Sequence, residues 1–75
     1  MSLDSQNNII VLNRNSLLKV NNDLFVDSLG NQFFWNNHFN PKSLLIDNNI
    51  IYVSFRNFVY KYDLISKYES ILRRN

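Results

Sequence analysis

The sequence predicts a small, mainly β domain: an antiparallel meander or half-barrel of about six or seven short strands, capped by one C-terminal amphipathic helix. Two observations lead to this fold class. Short apolar runs alternate along the chain with turns rich in Asn, Asp and Ser. Residues 49–63 have the pattern of a β-hairpin, and residues 64–73 have the periodicity of a helix.

The hairpin is the clearest predicted element. Phe55 can pair with Phe58 across a two-residue turn at Arg56 and Asn57. Alternation along both strands then gives one apolar and aromatic face, made of Ile51, Val53, Phe55, Phe58, Tyr60 and Tyr62. The opposite face is mixed and holds Ile50, Tyr52, Ser54, Val59, Lys61 and Asp63. Because the first face is too apolar for water, we expect it to form the core, and a surface on which Tyr60 and Tyr62 stack bases is the alternative.

Turn residues divide the rest of the chain into further short strands. These strands are predicted over residues 9–13, 17–20, 24–27, 32–36 and 43–46, ahead of the two hairpin strands. Residues 1–7 are predicted to be an N-terminal tail, and residues 8–62 the meander. Gly30 is the only glycine, so we expect it where the backbone needs a positive φ.

The predicted helix spans residues 64–73. Its apolar residues form one helical stripe: Leu64, Ile65, Tyr68, Ile71 and Leu72. Ser66 and Glu69 fit a capping box, and Asp63 is an alternative N-cap. We expect this helix to lie on the aromatic face of the hairpin.

Composition predicts one small domain that lacks disulfides, since the 75 residues include no cysteine. The chain has fourteen Asn but no Ala or Thr. An AT-rich genome explains this bias, and a selected Asn-rich binding surface is the alternative. Because no apolar run reaches the length of a membrane span and the first residues lack a signal-peptide pattern, we expect a soluble, cytoplasmic protein.

Charge is distributed unevenly along the chain. Residues 1–49 hold three basic and four acidic residues, whereas residues 50–75 hold five basic and two acidic residues. The last third therefore carries a net charge of +3 within a chain of net charge +2. A basic segment of this kind favours phosphate or an acidic partner.

Residues 44–72 resemble the KTSC family, the short domain found at the C-terminus of some lysyl-tRNA synthetases. The resemblance lies in Leu45–Asp47, in residues 51–55, in the Tyr-x-Tyr signature at Tyr60 and Tyr62, and in a following helix with Tyr68 and Leu72. It implies RNA binding, which is suspected for the family. The chain departs from the family by lacking a glycine in the hairpin turn and a proline at the helix start, and residues 1–43 have no counterpart.

Part of the chain also looks like a β-propeller blade, in residues 44–54 and 59–64. The chain also has a faint internal repeat, and its offset of 41 to 42 residues suits the period of a propeller blade. Asn7–Ile10 recurs as Asn48–Ile51, and the segment that starts at Arg14 aligns with the segment that starts at Arg56. Since 75 residues hold fewer than two blades, this resemblance implies assembly with further copies or a fragment of a larger protein.

The sequence shows no catalytic pattern and predicts no metal or cofactor. His38 is the only histidine and has no cysteine beside it, so we interpret it as a loop residue. We find no carboxylate pair with an acid–base partner, no Ser–His–Asp set and no Gly-rich phosphate loop. A non-catalytic binding module is the predicted class.

The candidate binding residues are Tyr52, Arg56, Lys61 and Arg74. Aromatic side chains can stack bases, and nearby cations can bind phosphate, so the leading hypothesis is RNA or ribonucleoprotein binding through the C-terminal hairpin. The alternative is a protein-interaction or inhibitor module of phage, viral or mobile-element type that acts on a host protein. Self-assembly as a homodimer, through an edge strand at residues 9–13 or 44–46, is a third hypothesis.

Overall fold

The computed structural model describes residues 2–3, 8–38 and 40–73 and contains two four-stranded antiparallel sheets. Sheet 1 consists of β1 (Ser2–Leu3), β2 (Ile9–Leu12), β3 (Leu17–Val20) and β4 (Val26–Ser28). Sheet 2 consists of β5 (Ser43–Asp47), β6 (Ile50–Ser54), β7 (Phe58–Asp63) and β8 (Glu69–Arg73). The helix α1 (Gln32–Asn37) lies between them in sequence.

Each sheet is a meander, because strands that follow one another in the chain are neighbours in the sheet. The predicted mainly β, antiparallel class is therefore confirmed. Among the residues that the structure describes, no helix is long and apolar enough to cross a membrane.

The predicted hairpin forms with the expected register. The Phe55 N–H donates to the Phe58 carbonyl oxygen at 2.9 Å, which places Arg56 and Asn57 in the turn. Val53 lies opposite Tyr60, and Ile51 opposite Tyr62. The residues of this inner face are all buried, as the alternating pattern predicted.

One core joins both sheets and the helix. Its buried members are Ile10, Leu17, Leu29, Trp35, Ile51, Val53, Phe55, Phe58, Tyr60 and Tyr62. The Phe34 ring stacks on Tyr60 at a centroid separation of 4.9 Å and meets Trp35 edge-on at 5.7 Å. These aromatic contacts show how a short chain fills the space over the hairpin.

The predicted strand at residues 32–36 is wrong, because this segment forms α1. Asn31 caps the helix: its side-chain oxygen accepts from the N–H groups of Phe33 and Phe34. Helical spacing buries Trp35 and packs Phe34 on the core, while Phe33 stays 77% exposed. A run of three aromatics favours a strand on propensity, but the cap and the need to cover the hairpin favour a helix.

The predicted helix at residues 64–73 is also wrong. Only a turn forms after Asp63, whose carboxylate accepts the N–H groups of Ile65 and Ser66 at 2.9 and 3.2 Å. The chain then enters β8, where Ile71 pairs with Tyr60 and Leu72 pairs with Val59. Ten residues make a marginal helix, whereas β8 satisfies the backbone groups along the edge of β7.

Two smaller predictions also need correction. Residues 2–3 of the predicted N-terminal tail pair with β2 as a short strand, while residues 1 and 4–7 lie outside the described part of the chain. The segment at residues 9–13 is not an edge strand, since β2 has a neighbour on each side. Residues 44–46 do belong to an outer strand, β5.

Gly30 lies in the loop after β4, against Tyr60, Glu69 and Trp35. Its φ of +78° is one that L residues rarely adopt. A Cβ here would overlap the Tyr60 hydroxyl and would lie 2.9 Å from Glu69 Oε2. The glycine is therefore needed both for its backbone conformation and for space.

We predict that Gly30→Ala destabilises the protein by about 3 kcal/mol, since strain at positive φ adds to overlap with the core. The urea midpoint of unfolding measures this change. Asn48→Gly is the control, because Asn48 has a φ of 54° in an exposed turn. Its free energy of unfolding should change by less than about 0.5 kcal/mol. Equal midpoints for Gly30→Ala and the unmodified protein would contradict this account.

Candidate functional site

The first candidate surface is the outer face of sheet 2, the side turned away from the core. We call it the hairpin outer face and define it by Tyr52, Val59 and Lys61 with Leu45 and Leu72 of the flanking strands. Tyr52 lies directly opposite Lys61, and Lys61 Nζ is 5.9 Å from the Tyr52 ring centroid. This distance is within the range of a cation–π contact.

The four predicted binding residues are placed differently. The structure brings Tyr52 and Lys61 together, and Arg56 is exposed at the hairpin tip, roughly 13 Å further along the strand. Arg74 lies outside the described residues. Tyr60 and Tyr62, the Tyr-x-Tyr pair of the KTSC resemblance, point to the inner face and are buried.

The hairpin outer face is apolar at its sides. Leu45 stands opposite Tyr52 and is 64% exposed, and Leu72 stands opposite Val59 and is 54% exposed. The face therefore combines aromatic, aliphatic and basic side chains.

Hydrogen bonds at the turns bring basic residues together at one end of the molecule. The Asn40 N–H donates to the Arg14 carbonyl oxygen at 3.0 Å, joining the β2–β3 turn to the segment before β5. Two residues later the Lys42 N–H donates to the Ser54 carbonyl oxygen at 2.6 Å, next to the hairpin tip. We call this region the basic end and define it by Arg14, Lys42, Arg56 and Arg73.

Arg73 joins this end through β8. It pairs with Phe58, and its guanidinium carbon is 5.7 Å from the Phe58 ring centroid. The described acidic residues lie elsewhere. Asp23 is in the β3–β4 turn. Asp47 and Asp63 lie opposite Ile50, at the end of sheet 2 that is away from the hairpin tip. Asp27 and Glu69 line a cavity between the sheets.

A pocket of about 430 Å³ opens at the basic end. It is lined by Leu12, Asn13, Arg14, Asn40, Pro41 and Lys42. No acidic side chain is among these described lining residues, so the pocket is positively charged.

A second cavity, of about 510 Å³, lies between the inner faces of the two sheets. Charged residues of both signs line it: Lys19, Asp27, Lys67 and Glu69. Glu69 Oε2 accepts the Asn31 N–H at 2.9 Å and also accepts the Tyr60 hydroxyl. These bonds tie β8 to β7 and to the start of α1.

Burial raises the pKa of the Tyr60 hydroxyl well above its ordinary value, and the hydrogen bond to Glu69 raises it further. Burial also raises the pKa of Tyr62, helped by the nearby Glu69 charge. The nearby Trp35 indole N–H lowers the Tyr60 pKa and so offsets part of this rise. It forms no hydrogen bond with a described residue. Tyr60 is thus a structural, neutral donor.

The outer face of sheet 1 is aliphatic. We call it the aliphatic face, and cross-strand pairing places Ile9, Val11, Leu18, Val20 and Val26 on it. None of these side chains packs on the described core, and Val26 is 58% exposed. Antiparallel sheets usually alternate apolar and polar residues, so an aliphatic outer face indicates a contact surface.

His38 has a structural position. Its ring stacks on Phe34 at 4.1 Å, and its Nδ1 is 2.8 Å from the Phe34 carbonyl oxygen. Because a carbonyl only accepts, this contact requires the tautomer that carries a proton on Nδ1. Within the described residues, no group of His, Asp and Glu could hold a metal ion.

Sequence reasoning missed Arg14 and Lys42 as site residues, although the internal repeat contained a signal for one of them. Arg14–Asn15 occupies a two-residue turn, closed by the Asn13 N–H and the Ser16 carbonyl oxygen, as Arg56–Asn57 does in the hairpin. The repeat also holds before the turns, where Ile10 and Ile51 are both buried, but not in the strands after them. Leu17 is buried on an inner face, whereas its counterpart Val59 lies on an outer face.

No family model matches the sequence, and no curated protein or solved structure matches it at a significant level.

We predict that the free energy of unfolding falls as the pH rises above about 10, because unfolded tyrosine ionises there and Tyr60 in the folded protein does not. Its contribution should be complete below pH 10 and should decline by about 1.4 kcal/mol per pH unit above it. Urea unfolding at a series of alkaline pH values measures this slope. Tyr60→Phe should reduce the slope relative to the unmodified protein. Identical slopes in Tyr60→Phe and the unmodified protein would disprove the assignment.

Proposed function

We propose that the chain is a non-catalytic module that binds single-stranded RNA along the hairpin outer face and towards the basic end. The observation that carries the proposal is the gathering of Arg14, Lys42, Arg56 and Arg73 at one end, away from the described acidic residues. Clustered cations attract a phosphate backbone and give binding its salt dependence.

The adjoining hairpin outer face supplies the aromatic part of such a site. Tyr52 is only partly buried and belongs to a rigid strand at the centre of sheet 2. Lys61 rests near its ring, and the long lysine side chain can turn to a phosphate while a base stacks on the tyrosine. Single-stranded RNA fits this face better than a duplex, because only unpaired bases expose their faces to stacking.

We predict that Arg56→Gln with Lys61→Gln weakens binding and makes it less dependent on salt. Each lost phosphate contact should reduce the slope of log K against log salt concentration by about 0.7, so the pair should reduce it by about 1.4. Fluorescence anisotropy with a labelled single-stranded RNA of mixed sequence, titrated at several salt concentrations, measures both effects.

Lys67→Gln is the matched control, since Lys67 carries the same charge in the turn before β8, far from the hairpin tip. It should leave the affinity and the salt slope unchanged. If the double variant binds as the unmodified protein does, or if neither protein binds RNA, the RNA proposal is wrong.

A second candidate function, homodimerisation, is favoured by the aliphatic face. This face carries no charged side chain among its described residues, so its best complement is another uncharged aliphatic surface. A second copy supplies one through a two-fold contact that closes. Docking of the aliphatic face on the hairpin outer face of another copy would instead bury Lys61 in a head-to-tail contact.

We predict a dimer at high protein concentration that Val26→Lys abolishes, because a charge would be buried at the two-fold contact. Val26 is on an outer strand and well exposed, so the fold should tolerate the change. Sedimentation equilibrium over a range of concentrations gives the mass. Leu45→Lys, a similar change on the hairpin outer face, should leave the dimer intact. A monomer at every concentration would exclude this contact.

A further inference from the structure

We propose that the pocket at the basic end is a phosphate-binding site in which Arg14 and Lys42 supply the positive charge and Asn40 supplies an amide donor. This inference rests on the proposed function, because it identifies where at the basic end a phosphate group is held. The ligand chemistry is a phosphate oxygen, whether from an RNA backbone or from a phosphorylated small molecule.

Backbone hydrogen bonds place the two cations at one pocket. Arg14 lies in the two-residue turn between β2 and β3, and its carbonyl oxygen holds the Asn40 N–H at 3.0 Å. The Lys42 N–H donates to the carbonyl oxygen of Ser54, at the end of β6, at 2.6 Å. Asn40 has a φ of 60°, a left-handed conformation that asparagine tolerates.

The side chains at this pocket remain available to a ligand. Arg14 and Lys42 are exposed, and neither makes an ion pair with a described residue. Asn13 already donates to the Ser16 hydroxyl at 3.2 Å, while the Asn40 side-chain amide makes no such bond within the described chain. The uncommitted donors are thus a guanidinium, an ammonium and an amide.

This donor set suits a phosphate group. A guanidinium can donate two parallel hydrogen bonds to phosphate oxygens, and an ammonium adds a compact charge on another side. Leu12 and Pro41 provide an apolar wall, and the volume of about 430 Å³ leaves room for a sugar or base attached to the phosphate.

The test compares three probes on the full chain: inorganic phosphate, a nucleoside monophosphate and single-stranded RNA. Backbone amide NMR shifts locate binding, and titration gives the affinity. We expect all three probes to shift the amides of Asn13, Arg14 and Lys42. Arg14→Gln with Lys42→Gln should weaken phosphate binding at least tenfold and reduce the RNA salt slope by about 1.4.

Lys19→Gln is the matched control, because Lys19 lines the cavity between the sheets and not this pocket. It should bind all three probes as the unmodified protein does. Both substituted residues are exposed, so the urea midpoint of the double variant should show that its fold is intact.

The outcomes separate this site from the proposed function. If phosphate and the nucleotide bind at the pocket but RNA does not, the site stands and its ligand is a small phosphorylated molecule. If RNA binding depends on Arg56 and Lys61 but not on Arg14 and Lys42, and the small probes do not shift the pocket amides, the proposed function stands and this site is wrong. If no probe shifts these amides, the site is also wrong.

Discussion

The packing on the inner face of the β6–β7 hairpin is the contact on which the other elements depend. Val53, Tyr60 and their neighbours form an aromatic and aliphatic surface too large for a 75-residue chain to leave in water. Helix α1 covers part of it with Trp35, and sheet 1 covers more with Ile10 and Leu17. The Tyr60 hydroxyl, buried by this packing, then requires an acceptor, and Glu69 on β8 provides it.

The sequence was sufficient to predict the β6–β7 hairpin, because its pairing depends on residues that are close together in the chain. The hairpin register follows from alternation and a two-residue turn, so the pairing of Val53 with Tyr60 could be read from the sequence. Helix α1 could not be predicted in this way, because it depends on packing against the hairpin, which is distant in sequence. Strand β8 was missed for another reason: the stripe of residues 64–72 suits a helix by spacing, but only a turn forms after Asp63, and Glu69–Arg73 then pairs with the free edge of β7.

The candidate site likewise contains some residues that could be predicted from the sequence and others that could not. Tyr52 and Lys61 are cross-strand neighbours, so their shared face followed from the hairpin prediction. Arg14 and Lys42 are far apart in sequence and meet through the Asn40–Arg14 and Lys42–Ser54 hydrogen bonds. These bonds depend on how the segment after α1 crosses between the sheets, and α1 itself was not expected.

Two surfaces of different chemistry lie on different parts of the fold. The aliphatic face belongs to sheet 1, whereas Tyr52, Lys61 and Arg56 belong to the hairpin of sheet 2. Because no residue is shared between them, a contact on the aliphatic face would leave the hairpin outer face free. On the two proposals, a two-fold dimer would present two RNA-binding surfaces, and two linked sites bind one strand more tightly than either site alone when the strand spans both. The two proposed contacts are therefore compatible, and dimerisation would strengthen RNA binding by any strand that reaches both sites.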